Sequence, residues 1–217
     1  MKKAFTLVVL ILAPIMVFAQ GTIYVVNNAT ELVQAWASGW DHSLSPVPVG
    51  GGMVQFFAAP DGTAFNPLGV MVTIGPIPGF ALDFNSLAGF LAANSGWNAY
   101  NTAPIAPVAG RFNAGTVTVD PLHAGGKIEY VIIGWTGPST TLDAAIASGS
   151  SFIGESALYT GIVTGDPTEG GAPLPPWTVS SFTGLTLAPI AAIPEPSTFA
   201  LAGLSAVLLL PLFRRRG

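Results

Sequence analysis

Short apolar or alternating runs, separated by turn residues, follow one another along most of the chain. Residues 116–119 alternate polar and apolar side chains, and Val, Ile, Thr, Tyr and Phe dominate the other runs. A period of two residues is typical of strands rather than helices. The predicted strands are residues 22–26, 53–59, 70–74, 115–120, 128–135, 157–163 and 181–188.

Two segments depart from this strand pattern and are predicted to be short helices. In residues 140–149, Thr140 stands three residues before Asp143, as in a capping box, and Gly149 is suited to end a helix. Residues 83–96 place three large apolar side chains on one helical face. The whole pattern predicts a mainly β domain, an antiparallel sandwich or Greek-key fold with one or two short helices.

Composition limits the partners and the chemistry of this domain. Between residues 20 and 193 the only basic side chains are Arg111 and Lys127, against ten acidic ones. An acidic surface without a basic stripe argues against nucleic acid and anionic lipid as partners. The chain has no cysteine, which excludes disulfides and thiolate metal sites. We expect one folded domain over residues 20–188, held together by packing alone.

The first nineteen residues have the three zones of a secretory signal peptide. Lys2 and Lys3 form a charged start, residues 4–16 are apolar, and Ala19 offers a small residue for cleavage. The alternative is a membrane anchor, but the apolar run is short for a span and contains Pro14. We expect residues 1–19 to be removed by signal peptidase after passage through the secretion machinery.

A second apolar segment lies close to the C-terminus. Residues 198–213 contain sixteen residues without a charge, which as a helix would extend about 24 Å, slightly less than a bilayer core. Arg214, Arg215 and Arg216 follow directly and are costly to move across a membrane. We therefore predict one transmembrane helix whose arginines stay cytoplasmic while the β-rich domain lies outside.

The tripeptide Pro194, Glu195 and Pro196 stands just before this predicted helix. Proline fixes its own backbone and keeps the preceding residue extended, so the tripeptide would present a stiff, exposed strand at the membrane surface. An extended segment suits the groove of a processing enzyme. It could equally be a linker that only starts the helix, and the residues by themselves favour neither interpretation.

The order of tripeptide, apolar helix with Gly203, and closing arginines over residues 189–217 resembles the PEP-CTERM sorting signal of Gram-negative bacteria. The resemblance implies recognition of Pro194, Glu195 and Pro196 by a membrane-embedded, exosortase-type enzyme. It also implies a precursor anchored in the inner membrane and a product at the cell surface or in the extracellular matrix, where exopolysaccharide is a candidate partner. More loosely, residues 21–28 and 154–156 resemble uncharacterised exported β-rich domains of such bacteria.

Candidate catalytic and metal-binding residues do not form a recognisable set, and no enzymatic activity, cofactor or metal is expected. Ser156 lies in a sequence that begins like a nucleophile elbow, but Leu158 replaces the second glycine, so a polar residue beside a strand is favoured. His42 and His123 lack the spacing of metal ligands. Asp61 is better interpreted as part of a turn than as a calcium ligand.

Glu129 and the tryptophans leave two alternatives open. Glu129 lies in the strongest predicted strand, where it is either catalytic or, as we favour, solvated at an open end of the sheet. The five tryptophans could stack on sugar rings, which would make the domain a secreted carbohydrate-binding module, although core packing is the commoner use. They are Trp36, Trp40, Trp97, Trp135 and Trp177.

Overall fold

The computed structural model describes residues 20–36, 43–74, 77–123, 125–165, 177–178 and 182–191. These residues confirm a mainly β chain with two short helices. The predicted signal peptide, Pro-Glu-Pro segment, membrane helix and closing arginines lie outside them, as do Trp40 and His42. The strands are β1 (Gln20–Val26), β2 (Val33–Trp36), β3 (Leu44–Pro46), β4 (Gly52–Pro60), β5 (Gly69–Ile74), β6 (Ile77–Leu82), β7 (Asn98–Pro104), β8 (Asn113–His123), β9 (Lys127–Thr136), β10 (Phe152–Glu155), β11 (Tyr159–Val163), β12 (Trp177–Thr178) and β13 (Leu185–Pro189); the helices are α1 (Leu87–Ala93) and α2 (Leu142–Ser148).

The largest sheet is built around β9. Its strand order is β3-β2-β13-β10-β9-β4-β7, and β11 pairs with a further part of β9. A three-stranded sheet, β12-β1-β8, and the hairpin β5-β6 are separate from it. Two pairs are parallel, β13 with β2 and β12 with β1, which differs from the antiparallel pairing expected throughout. The partners in both pairs are far apart in the sequence, so no hairpin turn imposes antiparallel pairing on them.

The large sheet is covered on both faces, as the alternation in β9 shows. Tyr130 and Ile132 belong to a core cluster that also holds Ile23 and Val119 from the three-stranded sheet. Val131, Ile133 and Trp135 belong to a second core cluster, which also includes Phe90 of α1 and Leu142 of α2. Residues 128–135 are all buried, because alternate side chains of β9 point to opposite faces of the sheet and both faces are covered.

Both helices begin and end with side chains suited to those positions. The Ser86 hydroxyl accepts a hydrogen bond from the Gly89 N–H at 3.1 Å at the start of α1. In α2 the capping residue is Thr141 rather than the predicted Thr140, and its hydroxyl accepts from the Ala144 N–H at 3.3 Å. Gly149 ends α2 with a φ of 62°, a left-handed conformation that glycine adopts without strain.

All seven predicted strands are present, with shifted ends, and the described residues contain six further strands that were not predicted. The unpredicted strands are β2, β3, β6, β7, β10 and β12. Most of them are short or contain proline, glycine or asparagine, residues with low strand propensity. Within the described ranges, no helix has both the length and the apolar character needed to cross a membrane.

Candidate functional site

The last described strand, β13, carries the chain out of the folded domain from the interior of the large sheet. It lies between β2 and β10, and its Leu187 and Ala188 are fully buried. Ile190 then forms a parallel bridge to Phe80 of β6, and the Ala191 N–H donates to the Phe80 carbonyl at 2.9 Å. Ala191 is therefore fixed to the domain only three positions before the start of the Pro-Glu-Pro segment.

The end of the large sheet from which the chain leaves is here called the exit end. It is defined by the strand ends that point the same way in β2, β4, β9, β10 and β13, namely Trp36, Gly52, Thr136, Phe152 and Pro189. The register pairs Gly52 with Thr136 and Phe152 with Pro189. The turns formed by residues 46–52 and 136–141 at this end contain no charged residue. Charge lies close to these turns, because the exposed Asp143 is in the first turn of α2 and Asp41 belongs to the sequence that joins β2 to β3.

An open cleft of about 420 Å³ lies at the exit end. Its aromatic lining consists of Trp36 and Phe152, and the rest comes mainly from the Pro-Val-Pro run of residues 46–48 together with Thr136. The Thr136 hydroxyl already accepts a hydrogen bond from the Phe152 N–H at 2.9 Å. Trp36 also packs against the second core cluster, and its indole N–H is buried without a partner in the described part of the chain.

Two of the other tryptophans belong to the core. Trp135 is fully buried and donates its indole N–H to the Ser139 carbonyl at 2.7 Å. Trp97 is 4% exposed and donates to the Ala64 carbonyl at 3.1 Å. Core packing is confirmed for this pair, which removes both from a sugar-stacking platform. Trp40 and the side chain of Trp177 lie outside what the structure describes.

Glu129 is buried, so the expectation of a solvated carboxylate is wrong. It is 3% exposed, because the chain after β4 turns back over it. The Gly62 N–H donates to its Oε2 at 3.4 Å, while Oε1 is buried without a partner among the described residues. Burial is the main cause that raises the pKa of Glu129, and the nearby charge of Asp61 adds to it.

Glu155 is a second inward-facing acid, and no pattern in the sequence pointed to it. Its Oε2 accepts from the Leu68 N–H at 2.9 Å, and its Oε1 is buried without a partner in the described ranges. Burial raises the pKa of Glu155 to about 8, with a further contribution from the charge of Asp83. Glu155 lies in β10 opposite Ile133, so its burial follows from strand pairing and has no signal in the local sequence.

Ser156 lies directly after β10, and its hydroxyl is used by the backbone. It accepts a hydrogen bond from the Ile132 N–H at 2.9 Å and donates to the Ala157 carbonyl at 2.9 Å. His42 and the side chain of His123 lie outside the described parts of the chain. The favoured interpretation of Ser156, a polar residue beside a strand, matches this arrangement.

Ser156→Ala is expected to lower the free energy of unfolding by about 1–3 kcal/mol, because the buried Ile132 N–H would lose its side-chain acceptor. Urea unfolding of the variant and the parent protein measures the difference. Ser45→Ala, on an exposed residue of the edge strand β3, is the matched control and should change stability by less than about 0.5 kcal/mol. If both variants lose the same small amount of unfolding free energy, the hydrogen bond between Ile132 and Ser156 does not contribute to stability.

The described residues contain no group of three or more histidine or acidic side chains placed to hold a metal ion. Asp61, considered above as a calcium ligand, accepts a hydrogen bond on Oδ1 from the Gly161 N–H at 2.8 Å and so fastens the β4–β5 turn to β11. Asp143 of α2 similarly accepts from the Leu87 N–H at 2.6 Å instead of closing a capping box within its own helix. Both carboxylates therefore join elements that are distant in the sequence.

The fold and the exit end define a mainly β domain of several sheets whose C-terminal strand leads to a proline-flanked glutamate. Comparison of the chain with protein-family models, curated proteins and solved structures finds no match.

Proposed function

We propose that this chain is a non-enzymatic, exported protein of the cell surface or extracellular matrix. In this proposal the precursor is anchored in the inner membrane by residues 198–213 and is processed by an exosortase-type enzyme that recognises Pro194, Glu195 and Pro196. The finer class, a β-sandwich built from the large sheet and the β12-β1-β8 sheet, is part of the same proposal and is supported by the core cluster that the two sheets share.

One observation carries the proposal: the folded domain extends as far as Ala191, and the Pro-Glu-Pro segment follows within three residues. A linker that merely joined the domain to a helix would need no fixed spacing and no proline pair. A recognition segment that begins three residues after a fixed position would be kept extended by its own prolines. That is the conformation an enzyme groove binds.

The absence of a catalytic role is supported by how the reactive groups are used. The Ser156 hydroxyl is committed to two backbone groups, and the inward-facing carboxylates of Glu129 and Glu155 each accept from a backbone N–H. These contacts hold together β9, β10 and the β4–β5 connection. Such contacts are typical of structural polar groups in an interior.

A secreted carbohydrate-binding module is the alternative, and the cleft at the exit end is the observation that favours it. Trp36 and Phe152 supply aromatic surface in an open cleft of about 420 Å³. A glycan array probed with the parent protein and with Trp36→Ala separates the two functions. Glycan binding that depends on Trp36 would favour the module.

Glu195→Gln and Pro196→Ala test the sorting proposal directly. The first keeps the shape of the tripeptide and removes its charge, and the second frees the backbone. In a Gram-negative host that carries an exosortase, both variants are expected to accumulate as full-length precursor in the inner membrane. Fractionation and intact mass measure this accumulation. Pro67→Ala, on an exposed proline of the domain, is the control and should be processed normally.

Deletion of Arg214, Arg215 and Arg216 should have a different effect. Without a cytoplasmic stop the short helix can pass through the bilayer, and uncut protein should appear outside with its apolar tail attached.

Trimming and release of the tripeptide variants at the normal rate would show that the segment is only a linker and that the sorting proposal is wrong.

A further inference from the structure

Strand β5 forms the free edge of the β5-β6 hairpin. Among the described residues it pairs only with β6, and the other side of β6 is bridged to the departing chain through Phe80 and Ile190. The consecutive side chains of Val70 and Met71 point to opposite faces of the strand and are 49% and 45% exposed. β5 is therefore open along its edge and, at these two residues, on both of its faces.

A hydrogen bond of Phe80 shows which backbone groups of β5 point to the free edge. The Phe80 carbonyl accepts from the Ala191 N–H at 2.9 Å, so it points away from β5. Met71 lies directly opposite Phe80, and directly opposite residues of an antiparallel pair exchange either both hydrogen bonds or neither. The N–H and C=O of Met71 therefore point outward, and the alternation along the ladder turns those of Gly69 and Thr73 outward as well.

The edge of β5 lacks the usual protection against pairing. Folded domains shield edge strands with charge, proline, irregular register or short length, because unpaired N–H and C=O groups recruit another strand. At the two edges of the large sheet, β3 has three residues and ends at Pro46, and β7 ends at Pro104 and has an interrupted register with β4. Val163 is also exposed, but its strand β11 has an interrupted register with β9. In β5 the register with β6 is unbroken, and residues 69–74 include no charge and no proline.

Charge and symmetry favour a second copy of the chain as the partner of this edge. Residues 20–193 contain ten acidic side chains and only Arg111 and Lys127 as basic ones, so two copies repel one another over much of their surfaces. Residues 69–82 are uncharged, so two copies can approach there without that cost. The edge is also self-complementary. About a two-fold axis at Met71, the outward groups of Met71 meet those of Met71 in the second copy, and those of Gly69 meet those of Thr73.

We propose that β5 pairs antiparallel with β5 of a second copy of this chain, which joins the two hairpins into one continuous sheet of order β6-β5-β5-β6. Each directly opposite pair along the new ladder would exchange two backbone hydrogen bonds, so the outward groups of β5 gain partners. Val70 would lie opposite Val72 of the second copy, a β-branched pair that packs well across strands. The contact is the same on both copies, so it closes as a dimer. It does not depend on the anchor of residues 198–213.

Single cysteine variants test the register of this pairing, because the chain has no cysteine of its own. Met71→Cys would place two thiols on a directly opposite pair, with Cα atoms about 5.5 Å apart, within the range of a disulfide. Val70→Cys is the matched control, since it is the next residue and has nearly the same exposure. Positions 70 of the two copies would be diagonal neighbours, with Cα atoms about 7–8 Å apart, which is beyond that range.

The full chain, purified in detergent and mildly oxidised, is analysed on a non-reducing gel. The crosslinked fraction is expected to be several-fold larger for Met71→Cys than for Val70→Cys, because only the first is in register. Equal crosslinking at the two positions, or none at either, would overturn the inference.

Sedimentation equilibrium of the full chain in density-matched detergent measures the dimer itself. Met71→Lys places two like charges directly opposite each other and is expected to weaken dimerisation by roughly tenfold or more. Val108→Lys, at a 51% exposed valine between β7 and β8, is the control and should leave dimerisation unchanged. Thr73→Pro removes an outward N–H but none that bonds to β6, so it should weaken the dimer in the same way.

Urea unfolding establishes that each variant is folded, and the comparison is made with those that unfold as the parent chain does. A parent chain that stays monomeric would overturn the inference. So would a dimer that neither Met71→Lys nor Thr73→Pro weakens, because association would then take place through another surface.

Discussion

Between pH 5 and pH 8.5 the domain is expected to lose stability, and Glu155→Gln is expected to remove most of that loss. Burial raises the pKa of Glu155 to about 8 in the folded protein, from 4.5 for an exposed glutamate. Between these two values the folded state binds a proton that the unfolded state has released, so unfolding becomes easier as the pH rises. The stabilising contribution is complete below pH 4.5, declines above it and is lost above pH 8.

The size of the effect follows from the shift. Each pKa unit corresponds to about 1.4 kcal/mol, so the shift from 4.5 to about 8 corresponds to about 5 kcal/mol in full, of which about 4 kcal/mol falls between pH 5 and pH 8.5. Urea unfolding at several pH values measures it. The pKa of Glu129 is raised in the same direction, so a smaller slope should remain in Glu155→Gln and disappear when Glu129→Gln is added.

Glu155→Leu is the informative companion variant. Both Glu155→Gln and Glu155→Leu remove the titration, but only glutamine retains an acceptor for the Leu68 N–H. The leucine variant should therefore be less stable than the glutamine variant by about 1–3 kcal/mol at every pH. A pH dependence in Glu155→Gln as steep as in the parent protein would show that another group is responsible.

Gly154→Ala is expected to destabilise the domain by about 3 kcal/mol or more, because the added methyl group has no space. Gly154 is the centre of β10, and a Cβ there would overlap the carbonyl oxygen of Thr186 in the neighbouring strand β13. That oxygen belongs to the backbone, so it can move only if the strand moves. The consequence should extend to the exit end, since β13 carries the chain towards it.

Alanine substitutions at two further glycines test whether the loss of stability depends on the atoms that surround the added methyl group. Gly134 pairs with Gly154 across β9 and β10, but a Cβ at Gly134 would meet the tip of the Leu185 side chain at 2.7 Å, and a side chain can turn away. Gly62 has a φ of 86° and no atom within 4 Å of an added Cβ, so alanine there costs only about 1–2 kcal/mol of backbone strain. The expected order of loss, measured by urea unfolding, is Gly154→Ala, then Gly134→Ala, then Gly62→Ala. Equal losses at Gly154 and Gly62 would contradict the packing argument.

The local sequence was sufficient for the elements with strong patterns. Alternation in residues 116–119 and the apolar run of residues 128–135 predicted β8 and β9, because these strands bury side chains at a period of two. The helix α2 was also predictable, since Gly149 and the capping threonine pair of residues 140–141 lie within a few residues of the helix that they bound. In each case the pattern that predicts the element lies within a few consecutive residues of the sequence.

Strands without such a local pattern form because they pair with other strands. β7 contains two asparagines and a proline, and β6 contains a proline and a glycine, yet both pair through long stretches of register with β4 and β5. Strand pairing supplies the backbone hydrogen bonds that these residues do not favour by themselves. Their positions could be found only once the stronger strands had been placed beside them.

The acidic residues show the same division at the candidate site. A period of two places Glu129 on the face of β9 that it shares with Val131 and Ile133, but the period does not show that the β4–β5 connection covers that face. The pKa of Glu155 is likewise raised mainly by burial, while the Leu68 N–H lowers it and the charge of Asp83 raises it, and both residues are more than seventy positions away. Periodicity in a sequence determines which side chains share a face of a strand. Whether that face meets water or another layer is decided only by tertiary packing, because burial is a property of distant segments that come together.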